Sequence, residues 1–251
     1  MDLSTPSFAL SVIVPVYREQ ARIAALLSHL ADIPAPGGPA FGAPVFGVEI
    51  LVVDGDPERR TLAALPEGAA TAGIRGLASD QGRARQMNAG AAAARGDALL
   101  FLHADTRLPL DAFARIEHAL ADEDISGGAF ALRITPEDGG QPGPGLRFIA
   151  WAANLRSRFT RAPYGDQGIF LRRECFEVLG GFADIPLMED LEFMTRLRRS
   201  GRRIRLLSAC AATSARRWER EGLLRCTLRN LLLRAFYHLG VRPQQLARFY
   251  P

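Results

Sequence analysis

Apolar and polar positions alternate in blocks along the first half of the chain. Residues 8–17, FALSVIVPVY, form a short β-branched run and predict a buried strand. Residues 19–32 place apolar side chains at helical spacing. A second apolar run, 48–55, ends at Asp54, and 57–65 reads as a helix opened by Pro57. Residues 73–78 form a weak third strand, and 82–96 an Ala-rich helix closed by Gly96. The run 97–105 is a fourth strand, and 110–122 a further helix. This alternation predicts an α/β fold with a mainly parallel sheet and helices on both faces. Polar residues stand where strands end, at Tyr17, Asp54 and Asp105. In open α/β sheets the ligand crevice lies at those carboxyl ends.

The second half has a different rhythm. Residues 127–134 read as a strand, followed by a Pro/Gly loop, 136–145, and a helix, 146–159. A strand runs into a short helix over 168–182; a helix over 188–201 and a strand over 203–208 follow. A long amphipathic helix is expected over about 219–239, and 34–47 is a low-complexity surface loop. No repeat or linker stands out. The reading is one domain, 1–251, with a nucleotide-type front half (8–122), an acceptor-type back half (123–218) and a C-terminal helical extension (219–251).

Composition narrows this little. The 48% hydrophobic and 23% charged content describes an ordinary folded chain. Every basic side chain besides histidine is Arg, and the net charge of +4 is too small to indicate nucleic acid. Cys175, Cys210 and Cys226 are odd in number, have no CxxC spacing and read as free thiols. The first residues lack a basic leader, and no run approaches the roughly 20 apolar residues of a spanning helix. The expected location is the cytoplasm, with peripheral contact at the inner membrane face left open.

Several constellations carry chemistry. Asp54 and Asp105 at adjacent strand ends suit a hard cation beside a phosphate, or a ribose; each also suits a helix cap. Gly82, Arg83, Arg85, Gln86 and Asn88 stand at a helix start, where phosphate is attracted; a solvated face is the plainer reading. Glu189 and Asp190 either complement a helix dipole or hold a general base. Asp166 and Gln167, between two glycines, form a turn or grip an acceptor. Arg216, Arg217 and Trp218 hold a diphosphate while stacking on a ring, or are a basic patch beside a buried indole. His103 has no second His or Cys at ligand spacing and is expected to orient a neighbour.

Taken in order, these segments resemble the family 2 glycosyltransferases with a GT-A fold. SVIVPVYRE resembles the opening strand that meets the nucleotide, which places Pro15, Tyr17 and Glu19 there. ILVVDGDPERRT resembles the second-strand aspartate segment, and GRARQMNAGAAAARGDALLFLHADT the helix and DXD strand. His103 replaces the first acid of that triplet, leaving Asp105 as the metal ligand. MEDLEF resembles the ED motif, whose second acid is the base; SARRW resembles Q/RxxRW, with Arg217 and Trp218 kept and Ser214 at its first position. HADT, YGDQGIF and RRWE together resemble a bacterial subgroup associated with radical-SAM, selenium-domain and arsenosugar biosynthesis genes.

The resemblance implies an inverting glycosyltransferase that moves a sugar from a nucleoside-diphosphate sugar to an unidentified acceptor hydroxyl. Asp190, with Glu189 beside it, would be the base. Pro15, Tyr17, Glu19, Asp54, Arg83, Gln86, His103, Asp105, Arg217 and Trp218 would line the donor site. Asp166, Gln167 and Trp218 would meet the acceptor, and Asp105 would hold Mg2+ or Mn2+. The alternatives are a nucleotidyltransferase or an inactive nucleotide-sugar-binding protein. The first would carry a Gly- and basic-rich loop after strand one, where VYREQAR stands instead. In the C-terminal helix, Leu224, Leu228, Leu231, Leu232 and Ala235 share one stripe. That stripe is expected to pack on its own domain, leaving at most weak, salt-sensitive binding to anionic membranes.

Overall fold

The computed structural model describes residues 9–35 and 47–250. The surface loop expected over 34–47 lies mostly outside the described residues. In chain order, β1 (Leu10–Val16), α1 (Ile23–Ala31), β2 (Val48–Asp54), α2 (Arg60–Ala63) and β3 (Ile74–Ala78) come first. They are followed by α3 (Arg83–Ala93), β4 (Ala98–Phe101), β5 (Thr106–Arg107) and α4 (Ala112–Leu120). The second half adds β6 (Ile125–Thr135), α5 (Pro144–Thr160), a 3-10 turn (Gly165–Gln167), β7 (Ile169–Arg172) and α6 (Arg173–Val178). It continues with α7 (Glu189–Arg199), β8 (Arg203–Ser214), α8 (Arg216–Glu221), α9 (Leu223–His238) and α10 (Pro243–Leu246).

One sheet runs through both halves in the order β3-β2-β1-β4-β7-β6-β8-β5. Strands β3, β2, β1 and β4 are parallel; β7 is antiparallel to both β4 and β6, and β8 runs parallel to β6. The central strands are apolar at nearly every position because both faces are covered. Val12, Val14, Ile50, Val52 and Leu100 point into one core with α1 and α4. Ile13, Leu51, Val53, Leu99 and Phe101 point into the other, with α3, α6 and α7. Strand β6 lies between β7 and β8 and pairs with both at Gly127 and Gly128: a Cβ at Gly128 would lie 2.0 Å from the Arg205 carbonyl oxygen, so only glycine lets the strands approach.

Five expectations change. The helix expected from Pro57 starts at Arg60, because the Asp54 carboxylate caps it there. The fourth strand ends at Phe101 rather than at residue 105; the chain then turns, and Thr106–Arg107 pairs with β8. The last strand extends to Ser214. The C-terminal helix breaks at Gly222, whose φ of 86° favours glycine, into α8 and α9. Its leucine stripe does not pack on the domain. Leu224, Leu228, Leu231 and Leu232 are exposed, and the helix buries Cys226 and Leu233 instead. Among the described residues no helix is long and apolar enough to cross a membrane.

Candidate active site

The tips of β1, β2 and β4 frame the site. Gln86 on α3 was expected at the donor, but its side chain is buried and donates to the carbonyls of Val16 (2.6 Å) and Val53 (2.8 Å). It braces the two strand ends. Asp54 is likewise committed to the chain. Its Oδ1 accepts from the Asp56 N–H at 2.9 Å, and its Oδ2 from those of Thr61 (3.1 Å) and Leu62 (3.2 Å). Sequence reasoning missed Asp56. That residue is also buried, and its Oδ1 has no hydrogen-bond partner, with Arg18 Nε at 3.7 Å. An unpartnered buried carboxylate oxygen is costly unless a ligand completes it. Its signal was an acid two residues beyond a strand-end acid. Pro15 is half-buried in β1, and Tyr17 is exposed at the strand tip with the Arg18 guanidinium 5.1 Å from its ring.

A relay of charge links the segments after β1 and β4 to α8. Asp105 pairs with Arg216 at 3.2 Å, and Arg216 pairs with Glu19 at 2.9 Å. Glu19 also holds Arg22, and its backbone N–H donates to Thr61 Oγ1. Arg217, beside Arg216, has no carboxylate partner among the described residues; its guanidinium lies 4.6 Å from the Tyr250 ring centre. Burial and the nearby Arg83 and Arg229 lower its pKa. An unpaired, partly desolvated guanidinium attracts a diphosphate.

Opposite stands the acidic segment that opens α7. The Asp190 Oδ2 accepts from the Gly165 N–H at 2.8 Å, and its Oδ1 from the Leu191 N–H at 2.7 Å. A Cβ on Gly165 would lie 2.7 Å from His103 Nε2 and 3.5 Å from Asp190 Oδ2, so the glycine leaves room for both side chains beside it. Burial and the neighbouring Arg83 push the His103 pKa down to about 3, against the pull of Asp190. The imidazole is therefore neutral across the physiological range. Glu189 is buried and ion-paired with Arg83. Burial alone would lower Arg83, but Glu189 and Asp190 outweigh it and raise its pKa. Asp166 is raised to about 6 by burial and by Asp190, and its Oδ1 is buried without a partner.

Other expected residues serve as scaffold. Gln167 donates to the Phe130 carbonyl (3.0 Å) and accepts from Ser157 Oγ (2.8 Å) and the Tyr164 N–H (3.1 Å). Its amide pins the 163–168 loop, with its hydrogen bonds taken up by the chain itself. Trp218 packs against the cluster of Leu132, Ile134, Ala150 and Ala215, and donates to Thr227 Oγ1 at 3.2 Å. The half-buried indole is thereby pinned beneath α5. The remaining polar residues of α3 clamp the acidic segment: Arg85 pairs with Asp184, and Asn88 bonds both the N–H and the carbonyl of Phe182. Tyr164, missed in sequence, receives Arg234 on its hydroxyl at 2.7 Å and Arg156 on its ring at 3.4 Å.

The donor set can be tested against a divalent cation. Among the described residues no three His, Cys, Asp or Glu side chains form a ready metal cage. Mg2+ commonly takes only one or two protein carboxylates and completes its shell with substrate phosphates and water. Asp105, and Asp166 with its unpartnered Oδ1, fit that partial set.

The chain was compared with known proteins. No curated protein matches it. Among solved structures, the Pyrobaculum calidifontis mannosyltransferase PcManGT, in complex with GDP-Man and Mn2+, superposes with a TM-score of 0.62 at 20% identity. The match covers 90% of this chain and 65% of that one. S. aureus TarS 1–349 in complex with UDP superposes at 0.60 and 19% identity, over 82% of this chain and 60% of that one. The chain therefore spans less than two thirds of either structure, and the likeness establishes the GT-A fold. The description "Glycosyl transferase family 2" matches residues 11–180, which is more than half the chain. The chain belongs to glycosyl transferase family 2.

Proposed function

We propose that the protein transfers a sugar from a nucleoside-diphosphate sugar to an acceptor hydroxyl with inversion at C1. The observation that carries this reading is the juxtaposition of Asp190, Gly165 and His103. The Gly165 N–H fixes one Asp190 oxygen, and the neutral imidazole closes the other side of that glycine. Asp190 takes the proton of the acceptor hydroxyl, whose oxygen attacks C1 as the bond from C1 to the diphosphate oxygen breaks. One displacement at C1 inverts the anomeric centre. Arg217 meets the negative charge that grows on the departing diphosphate. Glu189 holds Arg83 beside the base, and Arg216 keeps Asp105 and Glu19 in register. A divalent cation on Asp105, with Asp166 beside it, would add charge neutralisation at the same leaving group.

At the nucleoside end, Tyr17 offers a face for stacking and Asp56 an unfilled acceptor oxygen. Asp54 supports both by capping α2. The HADT, YGDQGIF and RRWE variants support placing the chain in the radical-SAM and arsenosugar-associated subgroup. Screening UDP- and GDP-sugars for release of the free nucleoside diphosphate tests the reaction. Pyrophosphate release would indicate a nucleotidyltransferase. Donor binding with no release under any acceptor would indicate an inactive binder.

A further inference from the structure

Helices α5 and α9 carry apolar side chains on the wrong side for a free-standing domain. On α5, Phe148, Trp151, Leu155 and Phe159 recur at helical spacing and all are exposed, Phe159 by 81%. On α9, Leu224, Leu228, Leu231 and Ala235 recur in the same way, and Leu224 is 84% exposed. The helices adjoin where Leu223 fills the space over Gly145. Large contiguous apolar patches on a soluble surface mark an interaction site.

The charge beside these stripes identifies the occupant. Residues 139–165, which include α5, contain no Asp or Glu; neither do residues 222–250, which include α9 and α10. The same segments hold Arg147, Arg156, Arg158 and Arg161, and then Arg225, Arg229, Arg234, Arg242 and Arg248. Only Arg229 among them has a carboxylate partner within the described residues, Glu221. Arg147, Arg158, Arg161 and Arg225 are exposed. A second copy of this chain would bring more arginines against these, which disfavours self-association. An anionic bilayer supplies both an apolar layer and the opposite charge. We propose that the α5–α9 face docks this protein on an anionic membrane surface, with the leucine and aromatic stripes in the interface and the exposed Arg147, Arg158, Arg161 and Arg225 at the headgroups.

The dock would reach the catalytic loop through named contacts. Arg234 on α9 holds the Tyr164 hydroxyl, Arg156 on α5 covers the Tyr164 ring, and the next residue, Gly165, holds Asp190. Both membrane-facing helices thus support the segment that positions the base. This surface stands apart from the catalytic reading: vesicle binding is measured without donor, so its failure leaves the transfer reaction untouched.

The test is co-sedimentation with vesicles of phosphatidylcholine alone and of phosphatidylcholine with phosphatidylglycerol. The expected result is strong binding to the anionic vesicles, weakened but not abolished by salt, and much weaker binding to the neutral ones. Leu228→Glu with Leu231→Glu should weaken anionic binding by roughly tenfold or more, since both charges would enter the interface. Circular dichroism and melting check that this variant folds, which the exposure of both leucines favours. Trp151 gives a second readout on the intact surface: its emission should shift to the blue on anionic vesicles and be quenched by brominated lipid, and Trp151→Phe should lose both signals. No sedimentation with anionic vesicles overturns the proposal. So does full binding by the double glutamate variant, which would reduce the surface to arginines alone. So does a dimer that the same variant dissociates without any vesicle binding, because a second copy would then cover the face.

Discussion

The backbone N–H of Gly165 donates to Oδ2 of Asp190 at 2.8 Å, and the missing side chain of that glycine is what admits His103. This makes the proposed base a constrained group rather than a free carboxylate at a helix start. Asp190→Asn should keep donor affinity and lose kcat by a factor on the order of 10² or more. Gly165→Val should also lower kcat, because its side chain would collide with His103. Isothermal titration with donor and steady-state kinetics separate the two quantities. Near-normal kcat in Asp190→Asn would remove the assignment.

The proposed metal dependence would rest on a sparse donor set. With Asp105 already paired to Arg216 and Asp166 offering one unpartnered oxygen, the protein would hold a cation weakly unless donor phosphates completed its shell. Activity should vanish with EDTA and return with Mg2+ or Mn2+. Mn2+ binding, read by its paramagnetic effect on water relaxation, should tighten when a nucleoside diphosphate is added. Full activity in EDTA would mean that the arginines neutralise the leaving group alone.

Asp54 and Asp56 should part company when mutated. Asp54→Ala strips acceptors from three backbone N–H groups in and around α2. Losing a helix cap costs typically about 1 kcal/mol, and unsatisfied buried donors add to that. A lower Tm is therefore expected. Asp56→Asn keeps the shape of the site and should weaken nucleotide binding with a smaller change in Tm. Thermal melts with and without UDP or GDP give both numbers. The reverse ranking would return the nucleoside role to Asp54.

One pH effect belongs to the fold rather than to the site. Burial would raise the Glu49 pKa, but bonds from Ser11 Oγ, the Arg95 N–H and Arg75 outweigh it and hold it below its ordinary 4.5. A carboxylate with a depressed folded pKa stabilises fully above its unfolded value and loses that contribution as pH falls through the folded one. Melting temperature should thus drop in acid below about pH 4.5. Glu49→Gln should be less stable at neutral pH and show a shallower acid decline. Parallel slopes in the two proteins would contradict this account.

The front half of the fold was legible because its signals are local. Continuous apolar runs gave β1, β2 and β4, and their polar tips gave the crevice. What hydrophobic spacing cannot convey is which way a face turns. The stripe from Leu224 to Ala235 was plain in the sequence, yet the helix turns it outward. Arg234 must reach Tyr164, Arg229 must reach Glu221, and Trp218 must meet Thr227, all on the other side. A similar ambiguity surrounded single polar residues. Gln86, Gln167 and Asp54 look like ligand-binding groups because buried backbone needs the same donors and acceptors that ligands need. Only their partners tell the two uses apart. Asp56 went unremarked because its significance lies in a bond that is missing.

The link from Glu19 through Arg216 to Asp105 joins residues separated by nearly the whole chain. It means that the front half of the chain is not a transplantable module. A chimera joined near residue 122, with this front half and a foreign back half, would leave Glu19 and Asp105 facing each other without their shared countercharge. Such a hybrid would need an arginine at the position of Arg216, delivered by whatever follows its last strand. Swapping back halves must therefore carry the β8–α8 junction along with the front.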